Sequence, residues 1–214
     1  MLSSQLLTTK LFPPPPRRGH VIRSRLVERL NAGLQDGRRV LLVSAAAGFG
    51  KTTLVSAWIT QAELRSSVAW ISLDEGDNDP IRFLSYLIAA LQQIDPHIGG
   101  AVLPVIQSPQ PPQWTELVVQ LINQIAGVGN PVVLVLDDYH LITSQVVHQV
   151  AMMLIEHQPA HMHTVILTRE DPPLPLPKMR ARGQVTELRE RDLRFTLPEA
   201  EAFLVEAMGL TLSS

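Results

Sequence analysis

Four short apolar runs set the frame for this chain: RVLLVSA (39–45), SVAWISL (67–73), PVVLVLD (131–137) and HTVILT (163–168). Each is too short for a core helix, is rich in β-branched residues, and lacks the polar alternation of a strand with one wet face. They read as strands buried on both sides, and a fifth, weaker run, QVTELRE (184–190), extends the set. Between them lie helical stripes. Leu84, Leu87, Ile88 and Leu91 form one, and Trp114, Leu117, Val118, Leu121, Ile122 and Ile125 form another. Strands alternating with helices require right-handed crossovers, so the expected fold is α/β: about five mostly parallel strands with helices on both faces. In such sheets ligands gather beyond the carboxyl ends of the strands.

Charge and composition narrow the class. The 214 residues are 45% hydrophobic, enough to build the core of one sizeable domain. Arg17, Arg18, Arg23, Arg25 and Arg29 cluster early, yet the formal net charge is −2 and no general basic footprint for nucleic acid emerges. The absence of cysteine excludes disulfides and thiolate metal sites and suits a reducing cytoplasm. No apolar run is long enough to span a bilayer, so a soluble cytoplasmic protein without membrane contact is expected. Proline-rich joints at 13–16, 108–113 and 171–177 punctuate the domain. His157, His161 and His163 could be a metal cluster, but Pro159 breaks a continuous helical face and no carboxylate completes a ligand spacing, which favours structural roles.

The stretch SAAAGFGKTTL (44–54) leaves the first strand and enters an apolar, helix-compatible run. It matches the phosphate-loop pattern G-x-x-x-x-G-K-[ST] except that Ala45 replaces the first glycine. In such a loop the backbone N–H groups of Ala47, Gly48, Phe49, Gly50, Lys51, Thr52 and Thr53, with the positive end of the helix, form an anion cradle for ATP or ADP. Ala45, at the strand exit, is accommodated if its φ is negative. Lys51 is expected on the β- and γ-phosphates and the Thr52 hydroxyl on Mg²⁺. The competing structural account is a glycine-rich turn with a snorkelling lysine.

Two further strand ends bear on that choice. VVLVLDDYH (132–140) finishes a buried strand with paired carboxylates, like a Walker B segment. Asp137 is expected to hold Mg²⁺, whose hard charge prefers oxygen ligands. Asp138 would orient or deprotonate the attacking water, or else serve only as a turn or helix-cap residue. VILTRED (165–171) ends in Thr168 and Arg169. If its strand lies between the other two, both residues face the γ-phosphate; otherwise Arg169 pairs with Glu170 or Asp171 at the surface.

These elements, with the long strings LLTTKLFPPPPRRGHVIRSRLVERL (6–30), VAWISLDEGDNDPIRFLSYLIAALQ (68–92), VLVLDDYHLI (133–142) and ILTREDPPLPLPKMRARGQVTELRERDLRFTLPEA (166–200), resemble the N-terminal ATPase module of MalT-type, LuxR-family transcriptional regulators. That family belongs to the STAND class of P-loop NTPases of the ASCE type. The resemblance implies an ATP/ADP switch with a closed ADP form, an ATP form that self-associates in the full-length protein, and slow hydrolysis that resets it. It also implies that Val21 and Arg23 line the adenine and ribose side and that Arg169 senses the γ-phosphate, making Lys51, Asp138 and Arg169 the catalytic set. DNA would be read only through a C-terminal helix-turn-helix beyond this chain. The expected division is 1–30 as an N-terminal adenine-side element, 31–197 as the NTPase domain and 198–214 as the start of a helical region. The alternatives are an ATP-driven motor or metabolic P-loop enzyme, and an interaction module that binds nucleotide without turnover. LDEGDNDPIRFL (73–84) has no assigned chemistry beyond capping a helix that starts near Pro80.

Overall fold

The structure is a computed structural model that describes residues 6–15, 21–106, 108 and 113–207. Arg17, Arg18 and most of the proline-rich joint at 108–113 lie outside the described residues. The elements run α1 (Ser24–Gln35), β1 (Val40–Ser44), α2 (Lys51–Gln61), β2 (Val68–Ser72), α3 (Pro80–Leu91), α4 (Leu103–Ile106), α5 (Trp114–Ala126) and β3 (Val132–Asp137). They continue as α6 (Gln145–His157), β4 (Met162–Thr168), α7 (Leu176–Ala181), β5 (Val185–Arg189), α8 (Glu190–Leu193) and α9 (Leu197–Ala202).

All five strands are parallel, in the order β2-β3-β4-β1-β5. The two-residue period of a strand divides the core into halves. Val40, Leu42, Ala69, Ile71, Leu134, Leu136 and Ile166 point to one face, where α3, α5, α6 and α7 cover them. Leu41, Val43, Trp70, Val133, Val135, Val165 and Leu167 point to the other, under α1 and α2. Both expected helical stripes are found: Leu84, Leu87, Ile88 and Leu91 lie buried in α3, and Leu117, Val118, Leu121, Ile122 and Ile125 lie buried in α5, with Trp114 at its start only half-buried. β5 has a single neighbouring strand and is only half-buried, which explains its weaker apolar signature.

The acidic string after β2 does more than cap a helix. Asp79 is the N-cap of α3, accepting from the Ile81 N–H at 2.9 Å with Pro80 at the first helical position, as expected. Asp77, however, is fully buried and pairs with Lys10 and with Arg82 (3.1 Å), while Asp74 pairs with Lys10 and Arg82, each at 3.0 Å. The Lys10 ammonium also sits 4.2 Å from the centre of the Tyr86 ring. The string thus anchors the N-terminal segment, whose turn Thr8–Leu11 packs on β2 and α3. His161 and His163 spend one ring nitrogen each on the carbonyls of Ile125 (3.1 Å) and Arg38 (2.7 Å).

Candidate functional site

The carboxyl ends of β1, β4 and β3 bring three segments together: the loop 45–50, Thr168 with Arg169, and Asp137 with Asp138. β4 does lie between the strands carrying the phosphate loop and the aspartate pair, and Ser44 is level with Thr168 in the register.

The loop owes its shape to two glycines. Gly50, the residue before α2, is left-handed at φ 73°, and Gly48 is at φ 87°. A Cβ on either would meet nothing within 4 Å, so the backbone angle, not crowding by the protein, demands glycine. Ala45 is buried (4% exposed), and its N–H donates to the Thr168 carbonyl at 3.3 Å. The only non-glycine residues at positive φ among those described are Glu63 and Asp138, so Ala45 takes an angle open to any residue. Ala46, Ala47 and Gly48 are exposed, whereas Phe49 packs against the α1/α2 half of the core and fixes the loop from beneath.

Lys51 is buried, and its ammonium donates to the carbonyls of Ala45 (2.8 Å) and Ala46 (3.0 Å). Burial lowers its pKa, opposed by Asp138 and reinforced by Arg169. The Thr52 hydroxyl donates to Asp137 at 3.0 Å and 3.2 Å from its two oxygens. Burial pushes the Asp137 carboxyl up to about 6, helped by Asp138 and opposed by the Thr52 hydrogen bond and the Asp138 N–H. Asp138 itself is left-handed at φ 57° with a half-exposed carboxylate. Arg169 is exposed and forms no ion pair with the described residues; Asp171 pairs with Arg189 instead. The Thr168 hydroxyl closes a local turn onto the Glu170 carbonyl at 2.8 Å.

His140 joins this group without having been singled out in the sequence. Its ring is 3.9 Å from the Asp138 carboxylate, yet both ring nitrogens are buried and lack a hydrogen-bond partner. Burial and then Arg169 lower its pKa, opposed by Asp138. The signal available was its place two residues after Asp138.

Val21 and Arg23 lead into α1. Val21 is half-buried. The described partners of the Arg23 guanidinium lie near the other end of the chain: Glu199 at 3.3 Å, the Arg194 carbonyl at 2.9 Å and the Phe195 ring at 4.9 Å. Arg25 joins the same clasp, with Glu199 at 3.1 Å. The structure therefore gathers Lys51, Thr52, Asp137, Asp138 and Arg169 but sends Arg23 to 194–199.

The donor set suits a magnesium nucleotide. Thr52 and Asp137 offer hard oxygens, and the first turn of α2 carries no acidic side chain to repel an anion.

Comparison with known proteins agrees with this geometry. A family profile described as "AAA ATPase domain" matches residues 20–167. The HTH-type transcriptional regulator MalT of Cronobacter sakazakii is 39% identical over 198 residues, covering 92% of this chain and 21% of that protein. MalT of Klebsiella pneumoniae is 38% identical over the same shares. The chain thus spans about a fifth of the length of the curated relatives it matches. Among solved structures, a Walker-type ATPase of Pyrococcus abyssi has a TM-score of 0.56 at 13% identity, covering 97% of this chain and 64% of that one. Cdc6p of Pyrobaculum aerophilum has a TM-score of 0.50 at 14% identity, covering 85% and 49%. Both share the fold alone. The resemblance to MalT-type regulators read from the sequence is borne out, and the chain belongs to the AAA ATPase domain family.

Proposed function

We propose that this chain is the nucleotide-controlled module of a MalT-type transcriptional regulator, binding ATP and ADP and hydrolysing ATP slowly. The observation that carries the reading is the contact of Thr52 with Asp137, which joins the phosphate loop to the aspartate pair across β4. In this reading the loop N–H groups and Lys51 cradle the phosphates, Lys51 exchanging its two carbonyl acceptors for phosphate oxygens. Thr52 and Asp137 would hold Mg²⁺, which supplies neutralisation of charge on the β- and γ-oxygens. Asp138 orients the attacking water, and Arg169, which has no carboxylate partner among the described residues, reads the γ-phosphate. Adenine and ribose lie on the side of Val21 and Arg23. Self-association and DNA binding belong to the longer form of such a regulator.

The test is to denature the purified protein, identify any released nucleotide, and compare turnover in wild type, Lys51→Ala and Asp138→Asn. Bound ADP or ATP, with slow turnover abolished by both substitutions, supports the proposal. No nucleotide binding by the wild type defeats it, and fast multiple turnover assigns the chain to a motor or metabolic enzyme.

A further inference from the structure

Asn78 closes the short turn Glu75–Asn78 after β2, and its side-chain amide reaches across to the loop that follows β3. Its Oδ1 accepts from the Thr143 N–H (2.6 Å), the Ser144 N–H (2.8 Å) and the Thr143 hydroxyl (3.2 Å). Its Nδ2 donates to the carbonyls of Leu141 and Glu75, both at 2.9 Å. Both amide protons and both carbonyl lone pairs are in use.

These bonds fall where a backbone needs help. α6 receives no capping bond from the side chain of its N-cap, Ser144, and Asn78 takes up N–H groups there instead. The Leu141 carbonyl ends the turn Tyr139–Leu141, and the Leu141 N–H donates to the Asp138 carbonyl at 3.0 Å. Asn78 is therefore one turn away from Asp138, whose left-handed backbone (φ 57°, ψ 37°) persists only where its surroundings fix it. The clamp has a firm base, because the preceding residue is the buried Asp77 held by Lys10 and Arg82.

We propose that Asn78 is a positioning residue for ATP hydrolysis: its amide fixes the loop 138–144 so that Asp138 and His140 stay beside Lys51. This rests on the hydrolytic reading of the site given above. An amide is needed, since aspartate could accept from Thr143 and Ser144 but not donate to Leu141, and alanine does neither.

The test compares wild type, Asn78→Ala and Asn78→Asp in ADP titrations, steady-state ATP hydrolysis and hydrogen exchange. The expected result for Asn78→Ala is a kcat lower on the order of ten-fold or more, with KM and ADP affinity within about two-fold. Exchange should quicken in 138–144 and stay unchanged in 40–54. Asn78→Asp should recover part of kcat, because it keeps the acceptor half of the clamp. A wild-type kcat in Asn78→Ala overturns the assignment, as does a parallel loss of kcat and ADP affinity, the signature of a merely structural role. Failure of the wild type to bind or turn over nucleotide is a different pattern: it overturns the proposed function and this inference with it, whereas an active wild type matched by an equally active variant overturns the role of Asn78 alone.

Discussion

The Thr52 hydroxyl lies 3.0 Å from one carboxylate oxygen of Asp137 and 3.2 Å from the other, so the first turn of α2 and the tip of β3 meet although β4 separates their strands. A hydrogen bond to a charged group contributes about 1.5–3 kcal/mol, roughly a ten- to hundred-fold effect. Thr52→Val is expected to lower magnesium-dependent ATP turnover by about that factor, while Thr52→Ser, which keeps the hydroxyl, stays within about three-fold. Steady-state rates across a magnesium titration check this, and equal rates in the valine and serine variants would refute it.

Asp137 makes the stability of the ligand-free protein depend on pH. Its folded-state pKa of about 6 lies above the ordinary carboxylate value, so between about pH 4 and 6 the native state binds the extra proton. The stability contributed by this group is greatest below the window and falls as pH rises through it, by no more than roughly 3 kcal/mol, against the carboxylates Asp74, Glu187, Asp192 and Glu199, whose lowered values favour the folded state as pH rises. Urea unfolding of the wild type and of Asp137→Asn at intervals from about pH 4 to 7 should show the wild type losing its advantage over the variant as pH rises; the same pH slope in both would remove Asp137 as a source.

Lys10 is the main tie between the N-terminal segment and the buried Asp77. Lys10→Ala leaves that carboxylate with Arg82 as its cationic partner and the Asp74 N–H (2.8 Å) as a second donor, and breaking a buried pair costs about 3–5 kcal/mol. The partial compensation by Arg82 puts the expected loss near the lower figure, about 3 kcal/mol, measurable by urea denaturation. A loss under about 1 kcal/mol would mean that Arg82 carries the charge balance by itself.

Gly50 is required by its angle. Gly50→Ala forces a left-handed alanine, at about 1–2 kcal/mol, or bends the loop out of its cradle shape. The variant should fold with a slightly lower Tm and bind ADP at least about ten-fold more weakly by calorimetry. Wild-type affinity would show that the loop tolerates either geometry.

How much of this was legible depended on the range of each interaction. The five strands are found within about one residue of their expected ends, because burial on both faces writes itself into consecutive residues. Thr52 in the loop pattern and Asp137 at a strand end were each singled out, and the sheet order supplied the contact between them. Ala45 was expected to fit if its φ is not positive, and that condition is met at the strand exit. Lys10 with Asp77, Arg23 with Glu199 and Asn78 with Thr143 were not legible. Each joins residues far apart in the chain through one or two polar contacts, which leave no periodic trace. His140 was hidden for another reason: only the fold reveals that its two ring nitrogens lack partners.

The position of β4 also sets a timetable. During synthesis the phosphate loop emerges early and the aspartate pair well after it, yet the strand that must lie between theirs ends only at Thr168. Until that strand has left the ribosome, β1 has no neighbour on the side facing β3, and Thr52 and Asp137 have nothing to hold them in register. The geometry of the site is thus completed in one step, when β4 emerges, and a nascent chain stalled before Met162 would carry the loop and the aspartate pair without the strand that aligns them.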